Sequence, residues 1–133
     1  MRELAEKFAA LEREITEERG EFTLFALFLR EDVDNKWDVV VSAPWLGGEE
    51  KRELDYFAKK IQSHLRPDEL VTLSRIVLAE PSSEAVKAVN KAISVEHGIA
   101  EVLDSSFFGL QIKHAYIITS KERNLVNSLT ASA

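Results

Sequence analysis

Cysteine is absent from this sequence of 133 residues, and proline and glycine are scarce, with three and five copies. The lack of cysteine excludes disulfides, thiolate metal ligands and cysteine nucleophiles. It fits a cytoplasmic protein, because structural disulfides belong mainly to oxidising compartments. No linker, repeat or low-complexity tract interrupts the chain, so we expect one domain over residues 1–133.

Long apolar runs are also missing. The longest, Phe22–Leu29, is eight residues, whereas a helix that crosses a bilayer needs about 20. The first residues, Met1–Lys7, are charged and lack the apolar centre of a signal peptide. We therefore expect no membrane association and a cytoplasmic location.

Positive charge is in deficit. The chain has 17 Lys and Arg against 23 Asp and Glu, a net charge of −6. A nucleic-acid partner needs a basic, phosphate-facing surface. The basic residues near the second predicted helix alternate with glutamate and aspartate, as on a mixed solvated face. We therefore expect a protein partner or a second copy of the chain, and consider a nucleic acid unlikely.

Motifs with a defined chemistry are absent too. The sequence contains no Gly-x-Ser-x-Gly elbow, His-Glu-x-x-His pair, dinucleotide glycine fingerprint or Walker pattern. Its three histidines, His64, His97 and His114, form no local cluster, and the first two lie where a helix dipole favours a cation. We predict no metal and no cofactor, and a non-catalytic protein in preference to an enzyme.

What is present is strong periodicity around a central segment, Glu21–Leu46. Phe22–Leu29 is apolar on both faces, which predicts a central strand covered on each side. Trp37–Val41 alternates and pairs with it as an antiparallel hairpin. The connecting Asp32–Lys36 is interpreted as a turn, with a calcium loop as the alternative.

Further periodic segments flank this hairpin. Apolar spacing predicts helices over Arg2–Arg19, over Glu49–Leu65 and from an N-cap at Ser82 or Ser83 to near His97 and Gly98. It predicts strands over Leu70–Ala79, Ala100–Leu103 and Phe107–Thr119. Asp104–Ser106 is interpreted as a turn, and Ser120–Ala133 as an optional last helix. The pattern predicts an α+β fold in the order α-β-β-α-β-α-β-β(-α). Its sheet is mixed and largely antiparallel, with four or five strands and helices packed against it.

The first helix suggests one function. Leu4, Phe8, Leu11 and Ile15 repeat at heptad spacing, as a narrow apolar seam. The seam either packs on the chain's own sheet or pairs with a second copy. We therefore predict an interaction module that self-associates through this seam or through an edge strand.

The alternative is a small-molecule binder or enzyme with a pocket at the sheet end, near Trp45, Arg75, His114 and Tyr116. Trp45 is either a core plug or an aromatic on a binding rim. Arg75 either marks a sheet edge or holds a carboxylate. His114 is either a core residue with a hydrogen-bond partner or, with Tyr116, the polar end of the pocket.

Overall fold

Five strands and four helices make up the part of the chain that the computed structural model describes, residues 2–31 and 36–122. The strands are β1 (Leu24–Arg30), β2 (Trp37–Ser42), β3 (Leu73–Leu78), β4 (Ala100–Phe107) and β5 (Leu110–Ser120). The helices are α1 (Arg2–Arg19), α2 (Glu50–His64), α3 (Pro67–Leu70) and α4 (Glu84–Ala92).

The strands form one sheet in the order β3-β2-β1-β5-β4. The pairs β1–β2, β1–β5 and β4–β5 are antiparallel, and only β2–β3 is parallel. A parallel pair needs a long crossover, which α2 and α3 supply. Helices α1 and α2 cover one face and α4 covers the other. The predicted α+β class, with a mixed and mostly antiparallel sheet, is confirmed.

Strand β1 is central, as its apolar character on both faces predicts. Phe25 and Leu27 join the core under α1 and α2, whereas Leu24, Ala26 and Phe28 join the core under α4. All five are at most 1% exposed. A strand buried on both faces stabilises two cores at once, so β1 carries much of the apolar burial of the fold.

The apolar seam of α1 packs on the sheet of the same chain. Leu4, Phe8, Leu11 and Ile15 are 0–6% exposed and belong to the core that includes Phe25. Of the two alternatives, packing within the chain is therefore the one observed. The prediction that this seam is an interaction surface therefore needs correction, because its side chains are already buried within the chain.

The C-terminal hairpin differs from the expectation. Asp104–Ser106 lies inside β4 and is not a turn. The turn falls at Phe108 and Gly109, whose φ angles are 58° and 69°. Two central residues at positive φ match the twist of a two-residue hairpin, although such positions usually hold asparagine, aspartate or glycine.

Other boundaries also move. Pro67 follows α2 and opens the short α3, where a missing N–H is tolerated. Helix α4 ends at Ala92, so His97 lies beyond it. The predicted acidic turn and its calcium alternative fall largely on residues 32–35, and the optional last helix on residues 123–133. Both segments lie outside the described residues.

The described helices are too short or too polar to span a membrane. Within residues 2–31 and 36–122, no helix combines the length and the apolar character that crossing a bilayer requires.

Gly20, where α1 ends, is required by both conformation and space. Its φ is 129°, and a Cβ there would lie 2.8 Å from Cδ1 of Trp45. We expect Gly20→Ala to lower the free energy of unfolding by about 2 kcal/mol, because alanine is strained at this φ and collides with the indole. Urea unfolding followed by circular dichroism measures the change.

Gly47→Ala is the matched control, because a Cβ at Gly47 would meet nothing within 4 Å. We expect its effect to stay within about 0.5 kcal/mol. Equal losses for the two variants would contradict a specific steric requirement at Gly20.

Candidate functional site

The residues of the predicted pocket are not gathered in one place. Trp45 follows the end of β2 at Ser42, where Ser42 pairs with Leu24. His114 pairs with Leu29, whose other partner is Trp37 at the start of β2. Trp45 and His114 therefore lie at opposite ends of the sheet. The prediction of a single pocket that contains both residues therefore needs correction.

Trp45 closes the core at its end of the sheet. Its Nε1 donates a hydrogen bond of 2.9 Å to the carbonyl oxygen of Glu21. Its ring packs edge-on against Phe22 and nearly parallel to Phe57, and the Arg19 guanidinium lies 4.7 Å from the ring centroid. The two aromatic contacts and the cation over the ring together hold the indole as a core plug.

His114 and Tyr116 are neighbours at the other end. Their rings lie 4.6 Å apart, each 5.5 Å from the ring of Trp37. His114 Nε2 lies 2.7 Å from a carboxylate oxygen of Glu101 on β4. Tyr116 is 3% exposed, and burial raises the pKa of its phenol. This pair is therefore packed and partnered, and it opens into neither cleft described below.

Arg75 both marks a sheet edge and contacts a carboxylate, so its position agrees with both interpretations. It lies on β3, an edge strand, and its Nε is 3.2 Å from Oδ2 of Asp38. Arg30 Nε reaches the same oxygen at 2.8 Å. Asp38 is 2% exposed, and its Oδ1 has no hydrogen-bond partner among the described residues. Two guanidinium groups thus stabilise one buried carboxylate, which gives Arg75 a structural role.

A groove of about 420 Å³ runs between α2 and the edge strand β3. Its lining is mainly apolar and includes Leu54, Ala58, Ile61, Leu70, Leu73 and Ile76. Val71, just before β3, is 69% exposed, a high value for a large apolar side chain. Apolar surface next to a strand edge is typical of sites that receive another strand.

A polar network surrounds His97, which sequence reasoning had assigned only to a helix end. Glu12 on α1 is fully buried, and His97 Nδ1 lies 2.8 Å from its Oε1. Thr119 donates its hydroxyl proton to Glu12 at 2.7 Å and accepts from the His97 backbone N–H at 3.0 Å. The hydrogen bond to Glu12 raises the pKa of His97 above its ordinary value.

The other side of the imidazole faces solvent and acidic side chains. Nε2 of His97 lies 3.2 Å from Oε2 of Glu21. Glu96 adds a third group, and one ligand atom from each of the three lies within 4.8 Å of the others. A cleft of about 250 Å³ adjoins His97. The sequence signal was weak, because Glu12 and Glu21 lie far along the chain from the adjacent Glu96 and His97.

Comparison with known proteins finds no matching family model, no similar curated protein and no similar solved structure. Function must therefore be inferred from the side chains of this chain.

Proposed function

We propose that this chain is a non-catalytic interaction module that self-associates through the edge of β3 and the groove beside α2. The observation that carries the proposal is the coincidence of the two features: a mainly apolar groove of about 420 Å³ lies along a strand at the end of the sheet order. A strand added there would gain main-chain hydrogen bonds from the edge and apolar contacts from the groove.

The backbone of β3 supports strand addition. The N–H of Ala79 donates to the carbonyl oxygen of Val41 on β2. Because alternate residues of a strand point their backbone groups to opposite sides, the N–H groups of Ile76 and Leu78 point away from β2. These outward groups are the ones that a further strand would use.

The opposite edge is less suited to pairing. Strand β4 carries Glu101 and Asp104, and Asp104 has a φ of 48° in mid-strand. Charges and local irregularity are means by which proteins keep edge strands from pairing. Strand β3 contains no proline or glycine, and its one charged residue, Arg75, is engaged with Asp38. The contrast favours β3.

A second copy is the partner we propose, because one surface offers both halves of the contact. Ile76 and Leu78 of β3 pack on the α1 and α2 side of the sheet, the side on which the groove lies. In an antiparallel pairing about a two-fold axis, these side chains of one copy would approach the groove of the other. Such self-complementarity is what a two-fold dimer requires.

Composition supports the remaining parts of the proposal. The net charge of −6 favours a protein partner over a nucleic acid. The lack of cysteine suits the cytoplasm, where thiols stay reduced, and we include that location in the proposal.

The test is to place a charge in the groove. Ala58 lines it from α2, and we expect Ala58→Glu to weaken self-association at least about tenfold, because an unpaired charge is costly to bury in an apolar contact. Sedimentation velocity of the full chain over a concentration series measures the dimerisation constant.

Ala88→Glu is the matched control, since Ala88 lies exposed on α4, on the other face of the sheet. We expect this variant to dimerise like the unmodified chain. Circular dichroism checks that both variants remain folded. An unmodified chain that stays monomeric at every concentration would overturn self-association, and equal weakening by both variants would place the contact elsewhere.

A further inference from the structure

The cluster at His97 brings one imidazole and two exposed carboxylates close together. Thr119 donates its hydroxyl proton to Oε2 of Glu12 at 2.7 Å. His97 Nδ1 lies 2.8 and 3.0 Å from the two oxygens of Glu12, which requires a proton on Nδ1. In neutral imidazole, Nε2 then carries the lone pair.

The Nε2 side of the ring faces acidic groups. Nε2 lies 3.2 Å from Oε2 of Glu21, with the Glu96 carboxylate nearby. A proton on Nε2 makes this contact an ion pair, and a metal ion can replace that proton, because Nε2 and the carboxylate oxygen are both metal ligands. A histidine that donates one N–H to a carboxylate and turns its other nitrogen to a metal is a recurring arrangement in metalloproteins.

We propose that His97 Nε2, Glu21 and Glu96 bind a divalent transition-metal ion of the zinc class, with Glu12 as the positioning residue for the imidazole. Imidazole and carboxylate are ligands that Zn²⁺ accepts. With zinc–ligand bonds of about 2.0 Å, two ligands of a tetrahedral site lie about 3.3 Å apart. The 3.2 Å between His97 and Glu21 already matches that edge.

The surroundings leave the ligands accessible. The side chains of Glu21 and Glu96 are 47% and 36% exposed, so an ion can reach both carboxylates from solvent. Lys121 Nζ lies 3.2 Å from Glu96 and is 51% exposed, so a metal ion can take its place at that carboxylate. Three protein ligands leave a fourth position for water or a further group. The site shares no residue with the groove beside β3.

Calorimetric titration of the tag-free full chain with ZnCl₂ tests the proposal, and the visible absorption of bound Co²⁺ reports the coordination geometry. We expect one equivalent to bind. His97→Asn should weaken binding at least about tenfold, because it removes Nε2. Asparagine tolerates the φ of 53° at this position, so the backbone is kept. The double variant Glu21→Gln with Glu96→Gln should have a similar effect without disturbing the core.

Glu12→Gln separates the positioning role from ligation. It keeps a hydrogen-bonding side chain but loses the charge, and we expect affinity to fall about tenfold with unchanged stoichiometry. His64→Asn is the control, because His64 pairs with Glu14 elsewhere. Absence of Zn²⁺ binding to the unmodified chain at pH 7.5 would mean that a proton fills the position. That result, or a loss of binding in His64→Asn equal to that in His97→Asn, would overturn the proposal.

Discussion

Replacing Phe8 with alanine is expected to lower the free energy of unfolding by about 4 kcal/mol. Phe8 is fully buried, and its ring centroid lies 6.3 Å from that of Phe25 on the central strand. Truncation removes apolar surface and leaves a cavity that the rigid sheet cannot fill by collapsing. Urea denaturation of the full chain, monitored by circular dichroism, gives the difference.

The same variant distinguishes the two roles that the α1 seam could have. Replacing a residue of the chain's own core lowers the free energy of unfolding by the same amount at every protein concentration. Replacing an interface residue lowers it by an amount that depends on protein concentration. Leu103→Ala is the control, because Leu103 is 60% exposed and should shift stability by less than about 1 kcal/mol. Phe8→Ala without effect on the monomer would contradict the packing of α1 on the sheet.

Replacing Asp38 with alanine is expected to lower the free energy of unfolding by about 3 kcal/mol. The substitution removes the buried carboxylate with which both Arg30 and Arg75 pair. Asp38 is 2% exposed, and the Arg30 side chain beside it is 13% exposed. Without the carboxylate, the Arg30 guanidinium remains in a poorly solvated place and loses this partner. Chemical denaturation again provides the measurement.

Arg75→Ala gives the internal comparison for this pair. The Arg75 side chain is 49% exposed, and Arg30 stays on the carboxylate when it is removed. We therefore expect a loss of no more than about 1 kcal/mol. An equal loss of unfolding free energy in Arg75→Ala and Asp38→Ala would contradict this expectation. It would show that the different burial of Arg30 and Arg75 does not determine how much each contributes to stability.

The sequence was most informative where apolar spacing is long and regular. Phe22–Leu29 predicted a central strand because only burial on both faces accommodates so many apolar residues, and β1 has that position. The seam of α1 predicted a helix for the same kind of reason, and α1 covers Arg2–Arg19. Helix α2 also lies within one residue of its predicted bounds.

The sequence was least informative where residue types that are typical of turns lie inside a strand. Asp104 and the serines after it are typical turn residues, yet they continue β4, where an exposed edge tolerates polar side chains. The real turn places Phe108 at a φ of 58°. Its ring packs edge-on against Phe28, so tertiary contact can offset a conformation that propensity disfavours.

The polar sites were beyond sequence reasoning for a different reason. His97 meets Glu12 across 85 positions of the chain, and Asp38 meets Arg75 only through the parallel pairing of β2 and β3. Periodicity assigns residues to faces but gives neither the order of strands nor the register between them. Of the four residues expected in one pocket, His114 and Tyr116 are neighbours, whereas Trp45 lies at the other end of the sheet and Arg75 lies on an edge strand.

The position of β1 in the sheet also imposes an order on folding. Its partner β2 follows after a short connection, so this hairpin closes at little entropic cost. Its other partner, β5, is the last strand among the described residues, and pairing with it must wait for a long loop to close. Until then the most apolar strand presents an unpaired edge, so the nascent or partly folded chain is most exposed to strand-to-strand aggregation along β1.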